Sequence, residues 1–496
     1  MRRSGLLCLF IVLGPPALAR SPGAVRATLE DAVAFYQRAR AEQLLVATDA
    51  NERTDVLVGP AFFEGAEDLE HVFLQGDEAF ERAFHQAGGA GQGPPWGPRP
   101  LPARVQRLHT GERGGFDASS CRSCHFVGGT DGAGSYPQVG LFGGDGVHLS
   151  AARVRDTPHI MGLGYLAALA REIEAQLQRE VRGAQLEAQD LNQVIARALR
   201  VAGLDFGQIT AHPDGTLDRS GVRGVSPDLV LRPFGWKGRH ADLVALSDEA
   251  LQVHLGLQTT SRIETFAHDA ETWLGDGPPW DPDGDGVERE ANSGQAVLLA
   301  SYMSMLPVPQ LAVPTDPVLA FAWARGRAHF DDVGCADCHR PELRVRDLQT
   351  TLTAQGEAPF SFSFDLAEAG QAPAPRWVDH GEGPEGEVVG GVPLYAFTDL
   401  QRHDLGPELA GADEALPDGG GVVPGSVWLT RPLWGLADTA PYLHDGRAPT
   451  VHAAIEWHGG EAAASRDAYR ALTPEQQGAL RMFLLSMSRN PTLLVE

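Results

Sequence analysis

The chain has 496 residues, 43% hydrophobic and 21% charged. That is the balance of a folded protein, at a length that suits two to four domains of roughly 100–200 residues each. Lys and Arg number 40 against 65 Asp and Glu, a formal charge of −25, which excludes nucleic acid and anionic membrane surfaces as natural partners and favours basic proteins instead.

The chain opens on Met1, Arg2 and Arg3, an apolar run from Leu6 to Leu13, and Ala17-Leu18-Ala19. A positive start, a short apolar stretch and an A-x-A site are the parts of a secretory leader. Residues 1–19 therefore read as a signal peptide and the mature protein as exported, to the periplasm. The apolar run is too short for a membrane span, and no later stretch is long and apolar enough for one. Residues 20–105 read as an N-terminal helical extension, with helices over 28–45 and 76–86, followed by a Gly/Pro-rich stretch over 88–102. A third helical region is expected from 163 to about 202. A Pro-rich connector over 306–317 separates two larger domains, 106–310 and 318–496. At its end, Asp316 reads as an N-cap with Pro317 at the first helical position. Leu319, Trp323 and Phe330 continue at near-helical spacing. Near the C-terminus, Thr473 and Gln476 form a capping-box pattern with Pro474 between them. The helix they open carries Leu480, Phe483, Leu484 and Met487 on one face, where Met482 and Met487 read as core rather than as iron ligands. No run of strands stands out, so the expected fold is mainly α, with long Gly/Pro-rich loops.

Four of the five cysteines fall into two motifs, Cys121-x-x-Cys124-His125 and Cys335-x-x-Cys338-His339. C-x-x-C-H is the attachment sequence of a c-type haem: two thiols form thioethers to the vinyl groups and the adjacent His becomes the proximal iron ligand. A disulfide within each C-x-x-C would be strained and would not require a His after it. A Cys₄ zinc site usually has its pairs closer in sequence, and thioredoxin-like chemistry wants one C-x-x-C in a βαβ context. Two covalently bound haem c groups are the expectation, one in each of two cytochrome c-like domains.

The wider sequence carries a resemblance. The segments R-P-F-G-W-K-G at 232–238, F-D-D-V-G-C-A-D-C-H at 330–339 and T-D-L-Q-R-H-D-L-G at 398–406 are similar to those of the bacterial di-haem cytochrome c peroxidase superfamily. So are T-R-P-L-W-G at 430–435, P-Y-L-H-D-G-R at 441–447 and W-H-G-G-E at 457–461. The likeness is to its di-haem oxidoreductase branch, whose members carry peroxidase or thiol-oxidoreductase labels. It implies that the N-terminal haem reacts and the C-terminal haem relays electrons. It places the sixth ligand of the relay haem seventeen residues after Pro441, at His458, where bis-His ligation lowers the potential relative to Met/His. It places the resting distal ligand of the reacting haem ten residues before Pro158, at His148, leaving His159 and Met161 as structural residues. Trp236 is implied to lie between the haems. The Glu that moves the peroxide proton in peroxidases would fall at Gly256, with His254 the nearest group able to serve. His403 and His444 are implied to have hydrogen-bonding or haem-propionate roles.

Asp281, Asp283 and Asp285 alternate as in the first half of a calcium loop, but position 12 is Asn292 rather than Glu, so this is not an EF-hand. Calcium between the domains is familiar in the superfamily, and a solvated acidic turn fits the same residues. The expected function is a di-haem oxidoreductase that reduces hydrogen peroxide with electrons from a basic c-type cytochrome. Two rivals stay open: an oxidase or oxygenase acting on an organic substrate, and a cytochrome that only passes electrons.

Overall fold

The computed structural model describes residues 59–64, 68–84, 118–135, 141–142, 153–260, 263, 290–354, 359–371, 374–375, 378–382 and 388–489. The leader, the helix expected over 28–45, His148 and the Asp281, Asp283 and Asp285 turn lie outside the described residues.

Helix α1 (Leu69–Glu81) starts earlier than expected because Asp68 caps it, accepting from the His71 N–H at 3.2 Å. Gly76 is no start signal but a close approach: a Cβ there would sit 2.6 Å from the Cβ of Tyr302. Helix α2 (Leu163–Leu191) buries the stripe Leu166, Ala170, Ile173, Leu177, Val181, Ala184 and Ala188 at three- and four-residue spacing. It stops at Asn192, which takes φ +50°. The chain then turns into two antiparallel strands, β1 (Ile195–Val201) and β2 (Leu204–Ala211), instead of continuing as helix to about 202.

Helix α3 (Leu243–Leu255) is capped by Asp242, which accepts from Ala245 N–H at 2.8 Å, and ends on Gly256 at φ +68°. Helix α4 (Ser293–Met305) has a complete capping box between Asn292 and Gln295. It is apolar on every side, the mark of a central helix, and α1, α2 and α3 all pack against it.

Helix α5 (Pro317–Asp332) begins as its sequence says, with Asp316 Oδ1 accepting from Val318 and Leu319 N–H at 2.9 and 3.0 Å. Past it come β3 (Leu343–Val345), β4 (Gln349–Ala354), β5 (Phe360–Asp365), helix α6 (Leu366–Ala369) and β6 (Val388–Leu394). Short strands β7 (Arg402–Asp404) and β8 (Val427–Leu429) pair antiparallel. Helices α7 (Val451–Glu456), α8 (Ala463–Ala471) and α9 (Pro474–Leu484) complete the chain, α9 with the Thr473/Gln476 box in place. Helix α9 packs on α5, whose Gly326 lies against the Ala479 carbonyl. Met487 lies beyond α9 in a two-residue strand paired with Leu311.

The fold is therefore mixed α/β, and the expectation of a mainly α protein is corrected. Among the described residues there are nine α-helices and sixteen short strands, the strands gathered into seven small sheets. Ile195–Val201 is rich in Ala, Leu and Arg, good helix formers, but Asn192 breaks the helix and Leu199 and Val201 then point inward in strand alternation. Phe360, Phe362 and Phe364 recur at the two-residue period of a strand and face Ala354, Leu352 and Thr350 across the pair.

Two apolar cores result. The larger surrounds α2 and α4 and takes in Val345, Leu352, Phe362 and Val392 from the β3–β6 region. The smaller joins Phe330, Phe397, Tyr469, Leu480, Phe483 and Leu484. Full burial of a Phe or Leu contributes about 1.5–3 kcal/mol, so α5 and α9 are held together chiefly by this second cluster.

Candidate functional site

Ser120 and Ser123 cap each other around the tight turn Cys121–Ser123, and His125 N–H closes onto the Cys121 carbonyl at 3.1 Å. Arg122 fixes the turn from outside, pairing with Asp77 at 2.9 Å and with Glu81. The turn thus presents Cys121, Cys124 and His125 to one cavity of about 240 Å³. His125 Nδ1 lies 3.2 Å from the Gly132 carbonyl. A carbonyl can only accept, so Nδ1 carries the proton and Nε2 keeps its lone pair. Burial pulls this imidazole down to about 4, which keeps it neutral, the state in which it binds iron.

The second motif repeats the construction. Gly334 enters the turn Cys335–Asp337 at φ +82°, and His339 N–H bonds the Cys335 carbonyl at 3.0 Å. His339 Nδ1 donates to the Phe397 carbonyl at 2.9 Å, and burial, helped by His458, holds the ring down at about 4. His458 Nδ1 donates to the Ala454 carbonyl at 2.8 Å, and burial lowers its pKa too. Both Nε2 atoms are thereby left to a ligand. The two ring centroids are 6.5 Å apart. An iron about 2 Å from one nitrogen of each ring requires a little over 6 Å. These residues line a second cavity of about 310 Å³. The donor set and the spacing fit a haem iron with two imidazole ligands.

Burial pushes the Cys121 and Cys335 thiols up to about 12, each also raised by its partner in the motif. Redox-active thiols show the opposite shift.

The two cavities share a wall. Asp156, Thr157, Pro158, His159, Trp236 and Arg431 line both. Trp236 is set in it firmly: its Nε1–H donates to the Asp156 carbonyl at 2.7 Å, and its own carbonyl accepts from Leu429 N–H at 3.1 Å. Arg402 reaches across from β7 to hold the next two carbonyls, Lys237 at 2.8 Å and Gly238 at 2.9 Å. Lys237 is fully buried, its ammonium 2.6, 3.0 and 2.9 Å from the carbonyls of Pro424, Gly425 and Val427.

His254, in the last turn of α3, lines the first cavity. Gly256 caps the helix at φ +68°, a conformation that disfavours any side chain. The position to which the resemblance assigns the peroxidase Glu is a helix terminator in this chain. A carboxylate does reach this cavity from the preceding turns: Glu249 pairs with Arg239 at 2.8 Å and His240 at 3.3 Å. Its burial favours the neutral acid, but His240 and Arg239 outweigh that and hold the carboxylate at about 2.

Sequence reasoning singled out neither Glu249 nor Asp156 nor Arg431, and it set His159 aside as structural. Asp156 Oδ1 and His159 Nδ1 are buried without a hydrogen-bond partner. Burial raises the Asp156 carboxyl to about 7 and lowers His159 to about 3. Their signal was in the sequence: Asp156 stands two residues before Pro158, and Arg431 lies inside the T-R-P-L-W-G segment. His403 and His444 line the second cavity. His403 bridges Asp399 and Glu461, each at 2.8 Å, and His444 stacks on Trp428 at 3.9 Å.

Residues 378–487 match the family model described as "Di-haem oxidoreductase, putative peroxidase". Of the segments that carried the resemblance, those at 398–406, 430–435, 441–447 and 457–461 fall inside the match and those at 232–238 and 330–339 fall before it; the family's description implies haem cofactors. The matched segment holds His403, Arg431, His444 and His458; both C-x-x-C-H motifs lie before it. No curated protein matches the chain. A solved structure of hydrazine synthase from Kuenenia stuttgartiensis, pressurized with 20 bar xenon, is 15% identical over 41% of this chain. The chain covers 64% of that protein's length, and the TM-score of 0.21 carries no argument about the fold. No helix among the described residues is long and apolar enough to cross a membrane.

Proposed function

We propose that the protein is an exported di-haem c-type oxidoreductase that reduces hydrogen peroxide on the Cys121/Cys124 side with electrons received on the Cys335/Cys338 side. The observation that carries the reading is the shared wall: two cavities, each served by a C-x-x-C-H turn, meet at Trp236. Cys121, Cys124 and His125 would hold one haem, and Cys335, Cys338, His339 and His458 the other. When bound, the haems supply the one-electron chemistry that side chains lack.

The chain's own residues do the rest. His458, with His339, closes the second site to small ligands and marks it as the relay. Trp236 offers a π-system for an electron crossing between the cavities. Reducing one hydrogen peroxide to two waters takes two electrons and two protons. Asp156 Oδ1, raised to about 7 and unpartnered, can hold a proton at the wall near neutral pH, and His254 can hold one at the cavity's far side. His148 serves as the displaceable ligand of the first site. Asp281, Asp283 and Asp285 offer oxygen ligands for calcium. The acidic chain steers a basic mono-haem cytochrome as donor.

The test is stopped-flow mixing of the haem-loaded, half-reduced protein with hydrogen peroxide, with a basic ferrocytochrome as donor. Peroxide-dependent oxidation of two donor equivalents per peroxide, slowed at least tenfold by Trp236→Ala, is the expected result. A protein with two haems whose spectrum and donor oxidation ignore peroxide overturns the peroxidase reading.

A further inference from the structure

The shared wall contains a cation that no described carboxylate balances. Arg431 faces both cavities. Its contacts are one long hydrogen bond to the Gly235 carbonyl, at 3.4 Å, and the Trp236 ring, 5.6 Å from its centroid. No carboxylate among the described residues lies within ion-pairing distance of it. Three other sheltered arginines are paired: Arg232 with Asp228 at 2.7 Å, Arg239 with Glu249 at 2.8 Å, and Arg155 with Glu414 at 3.5 Å, while Arg402, without a carboxylate, has three neutral acceptors at 2.8–2.9 Å. A guanidinium has five N–H donors, and among the described residues only one of these five finds an acceptor. Burial alone pulls Arg431 down to about 10, so it remains charged at neutral pH. Asp156 is not its counter-ion, because a carboxylate beside an arginine is held down, and this one is pushed up by burial.

We propose that Arg431 binds a haem propionate, a carboxylate projecting into the wall from one of the two cavities and paired with the guanidinium. The inference rests on the di-haem reading above. It goes beyond it by assigning a residue that belongs to neither attachment motif and is not an iron ligand. The chemistry matches: a fork of N–H donors recognises a planar carboxylate through two parallel hydrogen bonds, and a porphyrin carries two such carboxylates on one edge. The pair would also set potential. A cation that neutralises a propionate removes negative charge near the iron and favours the reduced state. Because Arg431 lies over Trp236, the same charge tunes the wall that an electron crosses.

The experiment uses the full chain loaded with haem, as Arg431→Gln and Arg431→Lys. Haem content is measured first by the alkaline pyridine spectrum. A chain without haem refutes the di-haem reading itself, whereas two haems per chain leave this proposal alone under test. Resonance Raman then reads the propionate-bending band of each haem, and spectropotentiometry reads each reduced-to-oxidised ratio at a fixed poise. In Arg431→Gln the band of one haem shifts, and the ratio for that haem falls about tenfold, the scale of one unit charge a few ångströms away in a partly screened interior. In Arg431→Lys the band shifts while the ratio stays near the parent value, because the point charge survives and the fork does not. The haem that responds identifies which cavity supplies the propionate. Unmoved bands in both variants overturn the proposal, and so does a changed ratio with an unmoved band, which a nearby but unpaired charge would give. Should Arg431→Gln fail to accumulate, the band in Arg431→Lys decides by itself.

Discussion

Replacing Lys237 with Met should destabilise the protein by about 3 kcal/mol. The two side chains have similar length, so packing is nearly preserved and the loss is electrostatic. Three carbonyls, of Pro424, Gly425 and Val427, give up a charged donor at 2.6–3.0 Å, and each such bond contributes about 1.5–3 kcal/mol. The ammonium also sits 3.9 Å from the centre of the Trp428 ring, a contact that contributes about 2 kcal/mol when desolvated. Against this stands the several kcal/mol cost of burying the ammonium, which the variant no longer bears. The difference leaves roughly 3 kcal/mol, on the scale of buried carbonyl acceptors left without a donor. Urea unfolding of the haem-loaded protein, followed by far-ultraviolet circular dichroism, reads it. A parent-like midpoint and slope would mean that the three carbonyls find other donors, and would sink the reasoning. The variant should also slow transfer between the haems, because the Lys237 peptide that Arg402 grips directly follows Trp236.

Two further outcomes follow from the same geometry. Asp156 has its folded pKa raised to about 7 from an ordinary 3.8, so the stability of its protonated form is complete below pH ~4 and is lost as pH climbs through about 7. The parent should lose up to about 4 kcal/mol across that window, and Asp156→Asn should not, as thermal unfolding at stepped pH would show; equal slopes in the two proteins would refute the assignment. His458→Ala should convert the second haem from low to high spin in the electron paramagnetic resonance spectrum, and His458→Met should raise its potential. Two low-spin signals surviving in His458→Ala would remove His458 from the iron.

What the sequence revealed, and what it hid, divides along physical lines. Caps are local, so Asp316 with Pro317 and Thr473 with Gln476 were legible and form as written. The two C-x-x-C-H turns were legible because each is a contiguous run of residues. His458 came from spacing within a resemblance, and the structure brings it opposite His339. The strands escaped because most are two to seven residues long, and the longest pair begins in a helix-forming composition. Phe360, Phe362 and Phe364 did announce a strand, but an isolated alternation between loops is weak evidence until its partner is known. The helix expected from 76 begins at Leu69 instead, because its cap is Asp68. Arg431 and Asp156 stand inside or beside recognisable segments, but nothing in those segments marks them out from their neighbours. Their significance lies in lacking partners, a property of three-dimensional neighbours that no spacing encodes.

The placement of Val345, Leu352, Phe362 and Val392 in the core around α2 and α4 has a consequence for how the molecule could have been assembled. Residues that follow the second attachment motif complete the hydrophobic interior behind the first. Severing the 306–317 connector would not release two independent cytochromes; each fragment would display an apolar face that the other was meant to cover. The two C-x-x-C-H-bearing parts of the chain share one interior, so neither could be lost, swapped or transplanted without the other, and the unit open to inheritance and engineering is the pair.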